Sequence, residues 1–210
     1  MNQRQISAWA GLIATTLFVL IFTLEGWYRP GYKPLEMFVS ELSLGSRGWI
    51  QILNFIIFGT LLFVFSWGIT AEFQNGKASR GGPIILRTLA IGYFLSGPFV
   101  MDPVYPSFTF HGKLHDILGW IVFPLMPISC FVFLRRFRED LNWQFLKWET
   151  LGLGLLSALG VVLLTLAAQS ADVRNLFNHQ LGLIQRTIIV PFMLWIFIFA
   201  LGLLKRSKMY

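Results

Sequence analysis

Charge is what this chain has least of. Of its 210 residues only 13% are Asp, Glu, Lys or Arg, about half the share of an ordinary soluble domain, and long stretches carry no charge at all. An ordinary soluble globule is excluded. Cysteine is nearly absent as well: Cys130 stands alone in an apolar run, so no intramolecular disulfide and no two-cysteine metal or redox motif is possible. No Gly-rich phosphate loop, Walker motif or dinucleotide fingerprint appears. No alternating apolar and polar pattern suggests a membrane β-barrel. What the chain has instead is apolar bulk: 55% hydrophobic residues, 21 Phe and 8 Trp, with a mean hydropathy of +0.64. Those are proportions of an integral membrane protein.

Backbone polar groups inside lipid must be satisfied within the element itself, which selects helices for charge-free runs of roughly 20 residues. Six such runs predict an all-α, single-domain bundle of six transmembrane helices over 1–210, with spans at about 5–27, 48–72, 84–101, 115–134, 149–171 and 185–204. The third contains Arg87, expected to snorkel to the membrane surface. The first is too long for the apolar core of a secretory signal, and Glu25-Gly26-Trp27 is a poor cleavage site, so it reads as an uncleaved helix. Pro124, Pro127 and Pro191 read as helix kinks, and Gly152, Gly154 and Gly160 as positions of close packing. Arg135 to Trp148, charged but rich in aromatics, suits an interfacial helix or an aromatic belt.

Lys and Arg near the span ends set orientation. With both termini cytoplasmic, eleven lie inside and six outside; the acids divide four and six, leaving +7 inside and a neutral outer face. The basic balance is therefore membrane topology, and a nucleic-acid partner is not expected.

All three histidines, His111, His115 and His179, fall on the outer side with six of the ten carboxylates. The outer segment Leu35 to Leu44 reads as a short amphipathic helix with Leu35, Phe38, Val39 and Leu42 on one face and Ser40 and Glu41 beside it, placed to face a bundle mouth. Helix arithmetic puts His115 near the outer boundary, His111 one turn beyond on the same face, and Asp102 somewhat recessed. Together they suggest an outward polar recess bounded by Glu41, Asp102, His111, His115, His179 and Arg186. Ionisable groups at such depth tend to face a cavity or a partner.

His-x-x-x-His with a third His and a carboxylate is chemically able to hold Zn²⁺ with one position open for water. His111, His115 and His179 would ligate the metal, Asp102 would complete or orient the site, Glu41 would act as base, and Ser40 and Arg186 would bind the ligand, Arg186 holding a phosphate. Each histidine equally fits helix capping, headgroup packing or a bond to a neighbouring carboxylate, and metal-free proton transfer stays open. Bis-histidine haem would need His179 from across the bundle, since two His on one helix face cannot take opposite axial positions; no Cys-x-x-Cys-His attachment is present. Asp116, next to His115, reads as a helix N-terminal charge.

Four pieces, Tyr32 through Ser43 with Ser40-Glu41-Leu42-Ser43, Gly97-Pro98-Phe99-Val100-Met101-Asp102, His111-Gly112-Lys113-Leu114-His115 and Gly182-Leu183-Ile184-Gln185-Arg186, occur in an order that resembles a bacterial and archaeal six-helix membrane family, domain-of-unknown-function family 998. The resemblance implies the fold, the position of a site and a prokaryotic cytoplasmic membrane, and no particular reaction. A looser likeness in residue types is to the zinc-dependent membrane ceramidase and progestin-receptor-like hydrolases, although those have seven spans. The leading expectation is an extracytoplasmic pocket for a lipid headgroup or small ligand, with metal-assisted lipid hydrolysis as its chemistry. The alternatives are a small-molecule or proton-coupled transporter and a non-catalytic sensor or assembly subunit.

Overall fold

The computed structural model describes residues 1–103, 107–169 and 171–207, and among them helix is the only regular structure. Six bundle helices are α1 Gln3–Tyr28, α2 Gly48–Glu72, α3 Gly81–Leu95, α4 Phe110–Glu139, α5 Lys147–Ala167 and α7 Leu181–Ser207, with the short α6 Ala171–Leu176 on the connection between the last two. Each packs on its neighbour in chain order and α7 closes the ring on α1. Five of the six are long and apolar enough to cross a membrane.

The exception is α3. The span expected at 84–101 stops at Leu95, giving 15 residues and about 22 Å of rise against a hydrocarbon core of about 30 Å. Gly97-Pro98 is the cause: proline lacks an N–H and disfavours helical geometry in the residue before it, so the chain turns and Phe99 lies outside the helix, its carbonyl taken by a side chain, His115 Nδ1. Helix α3 nevertheless lies flat on α2. A Cβ at Gly59 would meet Ala90 O and Phe94 N, both at 2.5 Å. Arg87 reaches along α2 towards its end, donating to Ser66 Oγ at 3.2 Å and Thr70 Oγ1 at 2.9 Å.

Helices α4 and α7 run through their prolines. Gly154 faces Cys130 and Gly160 faces Ile188, as close packing predicts, while Gly152 faces open space. Towards the end where α2 and α4 terminate, the core is a continuous aromatic pile of Phe73, Phe133, Phe137, Trp195 and Phe199 closed by Trp143. Trp143 is fully buried, in contrast to the belt position expected of it. No interfacial helix separates α4 from α5. A turn and the 3-10 helix Gln144–Leu146 fold Trp143 under the bundle, where its indole donates to Glu72 Oε1 at 3.1 Å.

Candidate cavity site

The opposite end is covered by the connection between α1 and α2. Gly31 and Gly45, both at positive φ, a geometry glycine adopts without strain, reverse the chain at either side of it. The expected amphipathic helix is a 3-10 helix, Val39–Ser43. With three residues per turn the apolar stripe breaks: Val39 and Leu42 are buried, whereas Leu35 is exposed.

Cations fix this cover in place. Arg29 of the α1 terminus donates to Leu42 O at 2.8 Å and to Glu41 O and Leu44 O. Arg47 forks onto Glu25 with bonds of 2.7 and 2.8 Å, the bidentate geometry suited to a carboxylate. From α7, Arg186 donates to Pro34 O, to Met37 O at 3.0 Å, to Gly182 O at 2.9 Å and to Tyr32 Oη at 2.6 Å. Gln185 Oε1 accepts from Val39 N at 2.7 Å. These bonds tie Arg186 to the cover. Burial of Tyr32 pushes its phenol above the usual range, against the pull of Arg186.

Beneath the cover lies a partly open cavity of about 130 Å³ between α4, the end of α5 and the start of α7. Its walls are mostly apolar: Phe38, Met101, Trp120, Phe123, Leu164 and Leu181. Ser40, His115 and Gln185 supply polar groups, and Asp116 and Arg174 add one charged side chain of each sign. A smaller space of about 30 Å³ behind it is again bordered by Ser40, His115 and Gln185. Ser40 is only 7% exposed, and among the described residues its hydroxyl has no hydrogen-bond partner. His115 Nδ1 lies 2.7 Å from Phe99 O. A carbonyl only accepts, so Nδ1 carries the proton, and in the neutral ring Nε2 keeps its lone pair.

Of the six residues expected to bound one recess, only His115 lines this cavity. His111 shares its helix face and rests against the Phe99 ring, but it is exposed. His179 is 83% exposed, 3.4 Å from Glu36. Glu36 is held below the usual carboxylate range by Lys33 and, secondarily, by His179. Glu41 turns back to accept from Phe38 N at 2.8 Å, and its burial raises its pKa. Asp102 accepts from Thr109 Oγ1 at 2.6 Å and from the amides of Phe108 and Thr109 at 2.8 Å. It staples the entry to α4. Among the described residues no three His, Cys, Asp or Glu side chains converge as metal ligands. The cavity offers one imidazole and one carboxylate, which do not fit the three-ligand Zn²⁺ site, and no step through a metal follows from them.

Thr109, foremost among these donors, holds the Asp102 carboxyl below its usual pKa. A carboxyl with a lowered folded-state pKa stabilises the fold above its unfolded pKa of about 3.9 and loses that contribution as pH falls through the folded value. The Tm difference between wild type and Asp102→Asn is thus expected to be largest near neutral pH and to narrow below about pH 4. A difference unchanged from pH 7 to pH 3 overturns the staple's ionic character.

All four segments that carry the sequence resemblance reach this end of the bundle. The family model described as protein of unknown function (DUF998) matches residues 12–202, which take in all four. The chain belongs to that family. No curated protein and no solved structure matches it. In this DUF998 chain the first segment supplies Ser40, the second the Phe99 carbonyl, the third His115 and the fourth Gln185. Gln185 escaped the sequence reading because Arg186 beside it drew the attention that charge attracts. The available signal was an amide in the first turns of an otherwise apolar helix.

Proposed function

We propose that this integral membrane protein, with both termini cytoplasmic in a prokaryotic inner membrane, binds an amphiphile in its outer cavity, a lipid or lipid-like molecule of the outer leaflet. One observation carries the reading: apolar walls and three neutral hydrogen-bonding groups, Ser40, His115 and Gln185, meet in a single partly open space at the outer end of the bundle. Ligand sites typically combine a mainly apolar lining with a few polar groups that fix orientation. A volume of about 130 Å³ is near that of engineered cavities of about 150 Å³ that admit benzene. It suits the junction between a headgroup and its chain, with the rest of the molecule left in the bilayer. The unequal division of Lys and Arg supports the orientation.

Transport is the weaker reading. The residues a conduit would use are committed to backbone: Asn54 donates to Phe18 O, Thr60 to Ile56 O and Ser129 to Met126 O. Below them Phe73, Phe133, Phe137, Trp195 and Phe199 pack ring against ring in the core.

Gly119 borders both spaces, and a Cβ there meets only Phe123 at an ordinary 3.6 Å. Native mass spectrometry of the detergent-purified protein titrated with palmitoyl lysophosphatidylglycerol is expected to show one saturable site, weakened at least tenfold by Gly119→Leu with little change in Tm. Binding that never rises above the random distribution, or equal binding by Gly119→Leu, overturns the proposal.

A further inference from the structure

Within the amphiphile-binding reading, on which this inference rests, the three polar groups of the cavity differ in chemical role. Ser40 is a buried residue whose hydroxyl no described residue uses. His115 turns Nδ1–H to Phe99 O, and its ring stands edge-on to Phe55, so that in the neutral ring Nε2 is the basic nitrogen, on a ring that borders both spaces. Gln185 spends its oxygen on Val39 N, so its Nε2 keeps two N–H donors. That same bond holds the residue adjacent to Ser40, which couples the position of the hydroxyl to that of the amide. A nucleophile, a base with a third group orienting it, and a donor for developing negative charge are the parts an acyl-transfer site requires.

We propose that Ser40, His115 and Gln185 form an acyl-transfer site that hydrolyses a carboxylic ester of the bound amphiphile. Ser40 Oγ attacks the ester carbonyl carbon while its proton passes to His115 Nε2, and the carbonyl oxygen, now negative, is met by Gln185 Nε2–H. The carbon–oxygen bond to the alcohol breaks, and the departing oxygen takes the proton from His115. Water then adds to the acyl carbon, giving one proton to His115. Ser40 Oγ leaves and recovers that proton, so ester and water become acid and alcohol. Phe99 O takes the orienting place that a carboxylate holds in Ser-His-Asp sites. As a neutral acceptor it stabilises the imidazolium less, which predicts slow turnover. This carbonyl is available because the Gly97-Pro98 break releases it from α3.

An alkyl fluorophosphonate tests the site directly, because the activated serine displaces fluoride at phosphorus and the adduct adds a fixed mass. The expected result with the full-length protein in detergent is one adduct, mapped by peptide mass to Ser40, absent in Ser40→Ala, slowed at least a hundredfold in His115→Gln, and suppressed by palmitoyl lysophosphatidylglycerol. If His115→Gln fails to fold, the mapping and Ser40→Ala still decide. Wild type that binds the lysolipid at one saturable site but gains no adduct, or an adduct that survives in Ser40→Ala, overturns acyl transfer and leaves the binding reading standing. Wild type that neither binds nor reacts overturns both.

Discussion

Glu72→Gln is expected to lower the stability of the folded bundle by about 3 kcal/mol. Glu72 ends α2, where the helix dipole disfavours an anion, and its side chain is only 4% exposed. Two cations offset both costs: Arg206 Nε of α7 lies 2.7 Å from Oε1, and Arg4 Nε of α1 lies 3.2 Å from Oε2. Trp143 adds its indole N–H, and Arg206 lies 5.7 Å from the centre of the Trp143 ring. One carboxylate thus joins three helices and the connection between α4 and α5. Removing one partner from a buried ion network costs about 3–5 kcal/mol because the remaining charges stay desolvated. Glutamine still accepts from Trp143, and both arginines sit at the bundle end, which places the cost at the low side. For a chain of this size that corresponds to a fall in Tm of about 6–12 °C. The triple variant Arg4→Met, Glu72→Leu, Arg206→Met removes every charge together and is expected to regain most of the loss. A Glu72→Gln protein that melts within a degree of wild type would show that the clamp contributes nothing.

The clamp and the cavity differ in how readily a sequence discloses them. Six apolar runs separated by charge mark the bundle helices because period and length are local properties, and the limits of α2 follow from Arg47 and Glu72 directly. The shortening of α3 was also encoded locally, in Gly97-Pro98. Trp143 was not legible, because an aromatic among charges looks interfacial until Glu72, seventy-one residues away, is seen to accept its N–H. The same reason separates the histidines. The i, i+4 spacing does put His111 and His115 on one face, both touching Phe99. Nothing local, however, says that only the second is covered by the connection between α1 and α2, or that His179 lies out at Glu36. Charged side chains at a helix end serve equally to hold a ligand or to hold the chain's own carbonyls. At Arg186, Glu41 and Asp102 the chain's own backbone is the partner.

Gly182→Ala should unseat the cover formed by the connection between α1 and α2, a large effect from a single methyl group. A Cβ at this position would stand 2.3 Å from Met37 O and 2.5 Å from Pro34 O, and both are backbone atoms that no rotamer change can move aside. The same contact includes Gly182 N donating to Glu36 O at 3.2 Å and Leu183 N to Leu35 O at 3.0 Å, so displacement breaks these bonds and draws the cover away from Arg186 and Gln185. Hydrogen bonds to a charged donor contribute about 1.5–3 kcal/mol each; losing only part of the Arg186 set predicts a loss of about 3 kcal/mol. Because Phe38 and Ser40 are carried by the cover and Gln185 is tethered to Val39, lysolipid affinity should fall at least tenfold with it. Gly152→Ala is the matched control. It faces open space within α5, where alanine gains up to about 1 kcal/mol in helix propensity, and both Tm and affinity should hold or rise. If Gly182→Ala follows Gly152→Ala in both measurements, the cover yields without cost and its docking does not build the cavity.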